Sequence, residues 1–421
     1  MEFDPSEDRI VKILVINADC VTVNSSANLC HLAYLRGLAA CGHEVALLSA
    51  DGRHYKNDPA MAIPETVKSY TYYAVSLYEK MSMRKREVSS PAPAAVVQTT
   101  SQTAGAGGVK AFLRQCISNA KKTVMALYGI HGIYATFVRK AASFSLDEEF
   151  DYVLSLSTPV ASHLLAHKLL QSGHIKAKHW IQIWEDPWYS DAYGFNGKDK
   201  VYLEEKRLLS FAEKVCYVSP LTLENQKRLY PESAHKMFWQ PLPFYYQADG
   251  SENRVFEKNR YGYFGDYVPE ARNLRPFYEA AVKSGIQVNI CGNPSNLFPP
   301  EGNVHIHPRL PLDKLKPIED STNVLVFLCN RKGGQIPGKI YQYSATDKTI
   351  LFIMDGTEAE QAVLREFFGK YNRYVFCQNT VEDISRAIGA IESGNLGGVE
   401  NRPLDDFDPT ITIENILKAG S

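Results

Sequence analysis

Short apolar runs of strand length alternate along this chain with longer segments whose apolar residues recur at helical spacing. Val11-Lys12-Ile13-Leu14-Val15-Ile16 predicts a buried strand, 27–40 a helix closed by Gly42, and 43–48 a second strand, together one β-α-β unit. The segment from Tyr70 to Ser145 is an aromatic and basic excursion. Within it, 89–108 is a low-complexity Pro/Ala/Ser/Thr/Gly stretch, expected to be mobile. Alternation resumes at Asp151, with strands at 152–156, 179–184, 214–218 and 236–239, and helices at 160–171, 200–213 and 221–229. Pro241-Leu242-Pro243 and the polar run 247–252 read as an interdomain linker. A second alternating series runs from Arg260 to about Glu392, and the tail carries one short helix signal within 410–420. Two successive series with short connections predict an α/β protein with two Rossmann-like parallel sheets, whose ligands gather at the carboxyl ends of the strands. No repeat of solenoid length is present.

The length of 421 residues fits two domains. We expect an N-terminal domain over 1–243 carrying a mobile basic insertion at about 70–145, a C-terminal domain over 244–400, and a tail over 401–421. Hydrophobic content of 45% and charged content of 22% are ordinary for a globular chain. No apolar run reaches the length of a membrane span, and the acidic start lacks a signal-peptide core, so a cytoplasmic protein is expected. The eight cysteines form no C-x-x-C pair and lie mostly in apolar segments, which favours buried reduced thiols. The net charge of −1 hides an asymmetry: between Lys68 and Lys140, eleven basic residues face only Glu79 and Glu87, giving that segment +9. Such a block attracts an anionic membrane surface, nucleic acid or a phosphorylated ligand, or is a solvated basic face; the partner expected is an anionic membrane surface, with no nucleic-acid partner.

Candidate chemistry concentrates in a few places. No G-x-G-x-x-G follows the first strand; its loop, 17–26, includes Asn24, and this argues against a dinucleotide redox cofactor there. The run Gly333-Gly334-Gln335-Ile336-Pro337-Gly338-Lys339-Ile340-Tyr341-Gln342-Tyr343 lies between two apolar strands and reads as glycine loop then helix, with proline in the first turn. Glycines allow close backbone approach, a helix start offers free N–H groups, and Lys339 adds a positive charge, a combination suited to a diphosphate or to a plain turn. Ahead of it, Arg331 and Lys332 place two cations at a strand end. Gly262-Tyr263-Phe264-Gly265-Asp266 with Arg272 forms a second strand-loop, where a guanidinium holds two phosphate oxygens or is a surface charge. Trp184-Glu185-Asp186-Pro187-Trp188 follows a strand. Its carboxylates and indoles suit sugar hydroxyls and C–H faces, either acid suits a general base, and the proline suits a turn. His163 and His167 stand at i, i+4 on a helix without an evident third ligand, as ordinary helix histidines or a metal pair. Thr357-x-x-Glu360 reads as a capping box.

Gln335 to Met354 resembles the donor-binding helix and following strand of family-4-like bacterial polysaccharide glycosyltransferases of the GT-B fold. Gly262–Leu274, Asp151–Lys168 and Trp184–Trp188 resemble further segments of the same enzymes, at matching places in the chain. The resemblance implies two facing Rossmann-like domains and a hexosyltransferase that moves a sugar from a nucleotide-sugar, expected to be a UDP-sugar, to a hydroxyl acceptor. The acceptor would be a saccharide or lipid-linked precursor in surface polysaccharide biosynthesis, with retention and without a metal. It implies donor binding by Gly265, Arg272, Lys332, Gly334, Ile336, Pro337, Lys339, Tyr341 and Gln342. It implies acceptor contacts at Asn24, Ser157, Thr158, Trp184 and Trp188, catalysis by Asp186 or Glu185, and a tail that packs back on the N-terminal domain. Three positions depart from the pattern: Gln342 replaces the usual ribose-binding glutamate, Ser157 the usual histidine, and Asp266 stands where many members carry arginine. The rival readings are a nucleotide-sugar epimerase of the same fold and a non-catalytic partner subunit.

Overall fold

Residues 10–55, 57–80, 128–191, 198–245 and 257–420 are described by a computed structural model. The low-complexity run 89–108, most of the basic block and the linker's polar half lie outside the described residues.

The first sheet contains β1 (Lys12–Asn17), β2 (Glu44–Ala50), β3 (Lys68–Tyr72), β4 (Glu149–Ser157), β5 (Lys176–Trp184), β6 (Lys214–Tyr217) and β7 (Met237–Trp239). All its pairings are parallel, in the order β3-β2-β1-β4-β5-β6-β7. The second contains β8 (Arg260–Phe264), β9 (Gln287–Cys291), β10 (Val304–His307), β11 (Val324–Leu328), β12 (Thr349–Met354) and β13 (Tyr374–Gln378), also parallel, in the order β10-β9-β8-β11-β12-β13. In each sheet the winding reverses once, between β1 and β4 and between β8 and β11. These reversals open crevices at the carboxyl ends of the strands, where side chains from both halves of a sheet converge.

The strands are apolar on both faces because helices cover both sides. In β5, Trp180, Ile181, Gln182, Ile183 and Trp184 are all buried, and Gln182 is satisfied by donating to the Leu208 carbonyl (2.9 Å). The sequence reading missed β3, whose lysine- and tyrosine-rich KSYTY is the sheet's exposed edge.

The last helix, Pro409–Gly420, crosses back to lie along Ser26–Ala40. Gly37 allows it: a Cβ there would stand 2.3 Å from the Pro409 carbonyl oxygen. His43 and Glu414 join the two segments at 2.9 Å. The outgoing chain meets this tail where Phe244 N–H donates to the Phe407 carbonyl (2.9 Å). Next to it, Tyr245 N–H donates to Gln342 Oε1 (2.9 Å) and the Arg36 guanidinium lies over the Tyr245 ring. Among the described residues every cysteine is free, and no helix is long and apolar enough to cross a membrane.

Candidate active site in the cleft

The C-terminal wall is built at the β8/β11 crevice. Gly292, just past β9, packs against the end of β8 so closely that a Cβ would fall 1.9 Å from the Gly265 carbonyl oxygen. Arg272 sits inside this loop system: Nε donates to Asn330 Oδ1 (2.7 Å) and a terminal nitrogen to the Asp266 carbonyl (3.2 Å). Arg309, which the sequence reading passed over, pairs with the Asp266 carboxylate at 3.2 Å. Lys332 is exposed on the loop after β11. Gly333 and Gly334 take positive φ (97° and 70°), and the chain then runs through Pro337 into a helix of six residues, Lys339–Ser344.

The N-terminal wall is the loop after β5. Glu185 and Asp186 are adjacent but diverge. Glu185 turns inward, 3.2 Å from His31 Nε2, while His31 Nδ1 meets Asn17 Nδ2 at 2.9 Å. Burial pushes the Glu185 carboxyl above its usual range against the pull of His31. Asp186 turns to the opposite domain, where the Gln335 amide donates to it and also to Asp191 (3.2 Å). Burial raises Asp186 as well; the Gln335 bond and the Arg272 charge pull it down, and Asp191 pushes it up.

Around this bridge the two walls touch directly. Ser219 is the N-cap of the helix Pro220–Leu229, with proline in the first turn, and its side chain accepts from Thr222 N–H. The same hydroxyl donates to the Gly334 carbonyl (2.6 Å), as does Thr222 Oγ1 (3.3 Å). Leu221 lies against Gly334, so a side chain there would be both strained and crowded. The crevice lined by Leu221, Asn330, Gly334, Gln335, Asp355 and Leu364 leaves about 10 Å³, space for one water. At this point the two walls are in contact, and the crevice is far smaller than the roughly 300 Å³ or more that a nucleotide-sized ligand fills.

Several sequence candidates are occupied by the fold itself. Trp184 is fully buried; its indole N–H donates to Gln182 Oε1 (2.9 Å) and its ring lies 4.4 Å from that of His163, so it belongs to the core and not to a sugar platform. Tyr341 is likewise fully buried, against Phe407. Gln342 spends its carbonyl oxygen on Tyr245. Lys339 is ion-paired to Glu319 (3.1 Å), on the helix that feeds β11. Pro337 and Ile336 line the crevice, with Ile336 also in the core. Asn24 donates to Asp58 (2.8 Å) and closes a loop. Ser157 is buried and Thr158 exposed at the end of β4. Trp188 keeps a partly open ring 5.0 Å from His131. His163 is buried, bonded through Nδ1 to Ser155 (2.8 Å), and burial drives it well below the ordinary imidazole range. His167 instead stacks on Phe211 at 3.7 Å, and Thr357 and Glu360 form a capping box. Gln335, Asp191 and the Ser219–Thr222 cap carry the cross-cleft geometry, and Asn330 ties Arg272 to the Gln335 carbonyl on one wall (2.7 and 3.0 Å). Gln335 stood within the glycine-rich run, but nothing local marked Asp191.

No family model and no curated protein matches the sequence. Solved structures align along nearly the whole chain. Sucrose-phosphate synthase from Thermosynechococcus elongatus has a TM-score of 0.55 at 13% identity, over 98% of this chain and 95% of that one. The Anabaena protein HepE, solved with UDP and glucose, has a TM-score of 0.55 at 10% identity, over 97% and 98%. UDP-N-acetylglucosamine 2-epimerase has a TM-score of 0.52 at 10% identity, over 97% and 96%. At such identities the likeness is one of fold, and the fold is GT-B.

Proposed function

We propose that this protein is a glycosyltransferase that takes a hexose from a nucleotide-sugar and passes it to a hydroxyl acceptor in the cleft between the two sheets. The observation that carries the reading is the pairing of walls: a guanidinium beside glycine backbone at the β8/β11 crevice, facing two aspartates on the loop after β5. The UDP bound in the HepE structure supports a nucleoside diphosphate as the ligand of the first wall.

In this reading Arg272 and Lys332 neutralise the diphosphate as it leaves, and Gly265 and Gly334 let it approach the backbone. That cationic support makes the transfer independent of a metal. Asp186, which faces the donor wall, is the group that contacts sugar hydroxyls or relieves the acceptor of its proton; Glu185, turned to His31, supports it from behind. Retention and a lipid-linked saccharide acceptor complete the proposal. The exposed Lys68, Lys80, Arg139 and Lys140 belong to the basic block that would meet an anionic membrane.

Calorimetry with UDP, GDP, dTDP and CMP tests the donor site. One nucleotide is expected to bind, and Arg272→Ala to weaken it roughly 10- to 100-fold, the value of a hydrogen bond to charge. Absence of binding by all four overturns the reading. Donor rearranged without any acceptor would favour the epimerase. Co-sedimentation with anionic vesicles at low salt tests the membrane contact, and failure to bind there removes it.

A further inference from the structure

Beneath the Asp186–Asp191 loop lies a carboxyl group that the catalytic reading does not use. Glu205, on the helix Lys198–Phe211, has no exposed surface. Its Oε2 accepts the Tyr189 N–H at 2.6 Å, a short distance. Its Oε1 is buried, as are the hydroxyls of Tyr217 and Tyr230, and the Tyr230 phenol lies within hydrogen-bonding reach of the carboxyl. Gln226, one helix over, holds the same loop by donating to Ser190 Oγ (3.1 Å). Tyr189 packs edge-on to Tyr202, and Tyr202 stacks on Tyr230. The loop carrying both cross-cleft aspartates is therefore fixed from below at Tyr189 and Ser190.

The groups that face Glu205 are the backbone N–H groups of Trp188 and Tyr189 and the phenols of Tyr217 and Tyr230; among the described residues no salt bridge reaches it. Burial outweighs these donors and pushes its carboxyl up to about 7. A carboxylic acid at this place can donate its proton to a phenol oxygen while still accepting from Tyr189. A carboxylate there can accept from Tyr189 and from a phenol, but it stands fully buried with no cation paired to it among the described residues, which is costly.

We propose that Glu205 is the positioning residue of this loop: its carboxyl sets where Asp186 and Asp191 stand, and grips more firmly when protonated. The proposal rests on the reading of Asp186 as the catalytic carboxylate and says what places that group. Lifting the loop lets Glu205 into water, where it ionises at its ordinary value. The seated loop therefore binds the proton more tightly than the lifted one and is favoured as pH falls through about 7.

The test is amide hydrogen exchange at Tyr189 and its neighbours, expressed as protection relative to the intrinsic rate. In the wild type, protection is expected to rise about 10-fold between about pH 8 and about pH 6, as one-proton linkage requires. Glu205→Gln, neutral and still an acceptor, should hold protection high and flat with pH. Glu205→Leu should lose it throughout. Flat protection in the wild type, or a Glu205→Gln variant that follows the wild-type slope, overturns the proposal. The wild-type slope decides the matter even where a variant fails to fold. Nucleotide binding is measured on the same samples: its absence in all of them sinks the glycosyltransferase reading, and the exchange slope still judges Glu205. Where turnover is measurable, Glu205→Gln should shift the alkaline limb of kcat and leave the donor KM unchanged.

Discussion

The two walls of the cleft are made of different materials. The C-terminal wall is mostly backbone: glycines at positive φ or in close apposition, with one guanidinium held by Asn330 and the Asp266 carbonyl. The opposite wall is side chain, an aspartate pair on a loop supported by buried carboxyls and tyrosines. A backbone wall fails when atoms are added to it. A side-chain wall fails when charge or a hydrogen bond is removed.

Gly292→Ala should have the largest effect. The new methyl would meet the Gly265 carbonyl at 1.9 Å, and backbone cannot swing aside as a side chain does. We expect a loss of about 3 kcal/mol or more, seen as early melting. Gly265→Ala makes the contrast, because its methyl meets nothing nearer than 3.8 Å. It should fold normally and weaken nucleotide binding. Equal melting of the two would show that close packing is not what shapes this wall.

Next in size is a pH effect confined to the side-chain wall. Neighbouring residues on one helix are shifted in opposite directions. Against the push of burial, the Arg207 guanidinium and His131 hold Glu204 at about 2, whereas burial lifts Glu205 to about 7. Glu204 therefore contributes stability above about pH 4.5 that is lost as pH falls through about 2. For Glu205 the sign reverses: its contribution is complete below about pH 4.5 and disappears as pH rises through about 7. Between about pH 5 and about pH 8, unfolding free energy should fall in the wild type relative to Glu205→Gln, by on the order of 3 kcal/mol at most. Parallel stability curves for the two proteins would refute the assignment.

Gln335→Ala removes one bridge between the walls and should cost about 1.5–3 kcal/mol, the range for hydrogen bonds to charged groups. Scattering should show a larger radius of gyration, and nucleotide should bind faster, because the cleft no longer needs to be unlatched. An unchanged radius with unchanged association would mean that Ser219 and Thr222 close the cleft without Gln335.

The same contrast explains what the sequence disclosed. The strands were legible because parallel sheets covered on both faces are nearly continuous apolar runs. That continuity also hid Trp184: with both faces of β5 buried, alternation cannot tell a core indole from one facing a ligand. The glycine loop was legible because positive φ demands glycine. The helix after it was misleading. In six residues every side chain has a different neighbour, and Gln342, Tyr341 and Lys339 were claimed by the linker, the core and Glu319. Asp191 and Glu205 stand 144 and 16 residues from the groups they hold, Gln335 and the Tyr189 amide, so no local spacing could announce them.

Lys339 supplies the smallest effect and the finest discrimination. As a diphosphate ligand its loss would weaken nucleotide binding 10-fold or more. As the partner of Glu319, 37% exposed, it should contribute no more than about 1 kcal/mol to stability, since a half-open ion pair is screened and loses side-chain entropy on forming. Lys339→Met keeps the aliphatic stem and removes the charge, so packing and electrostatics separate. We expect a melting change that vanishes in high salt and nucleotide affinity within about 2-fold of wild type, beside the large loss for Arg272→Ala. A comparable loss in the two variants would return Lys339 to the donor wall, and that wall would then rest on side-chain charge as much as on backbone.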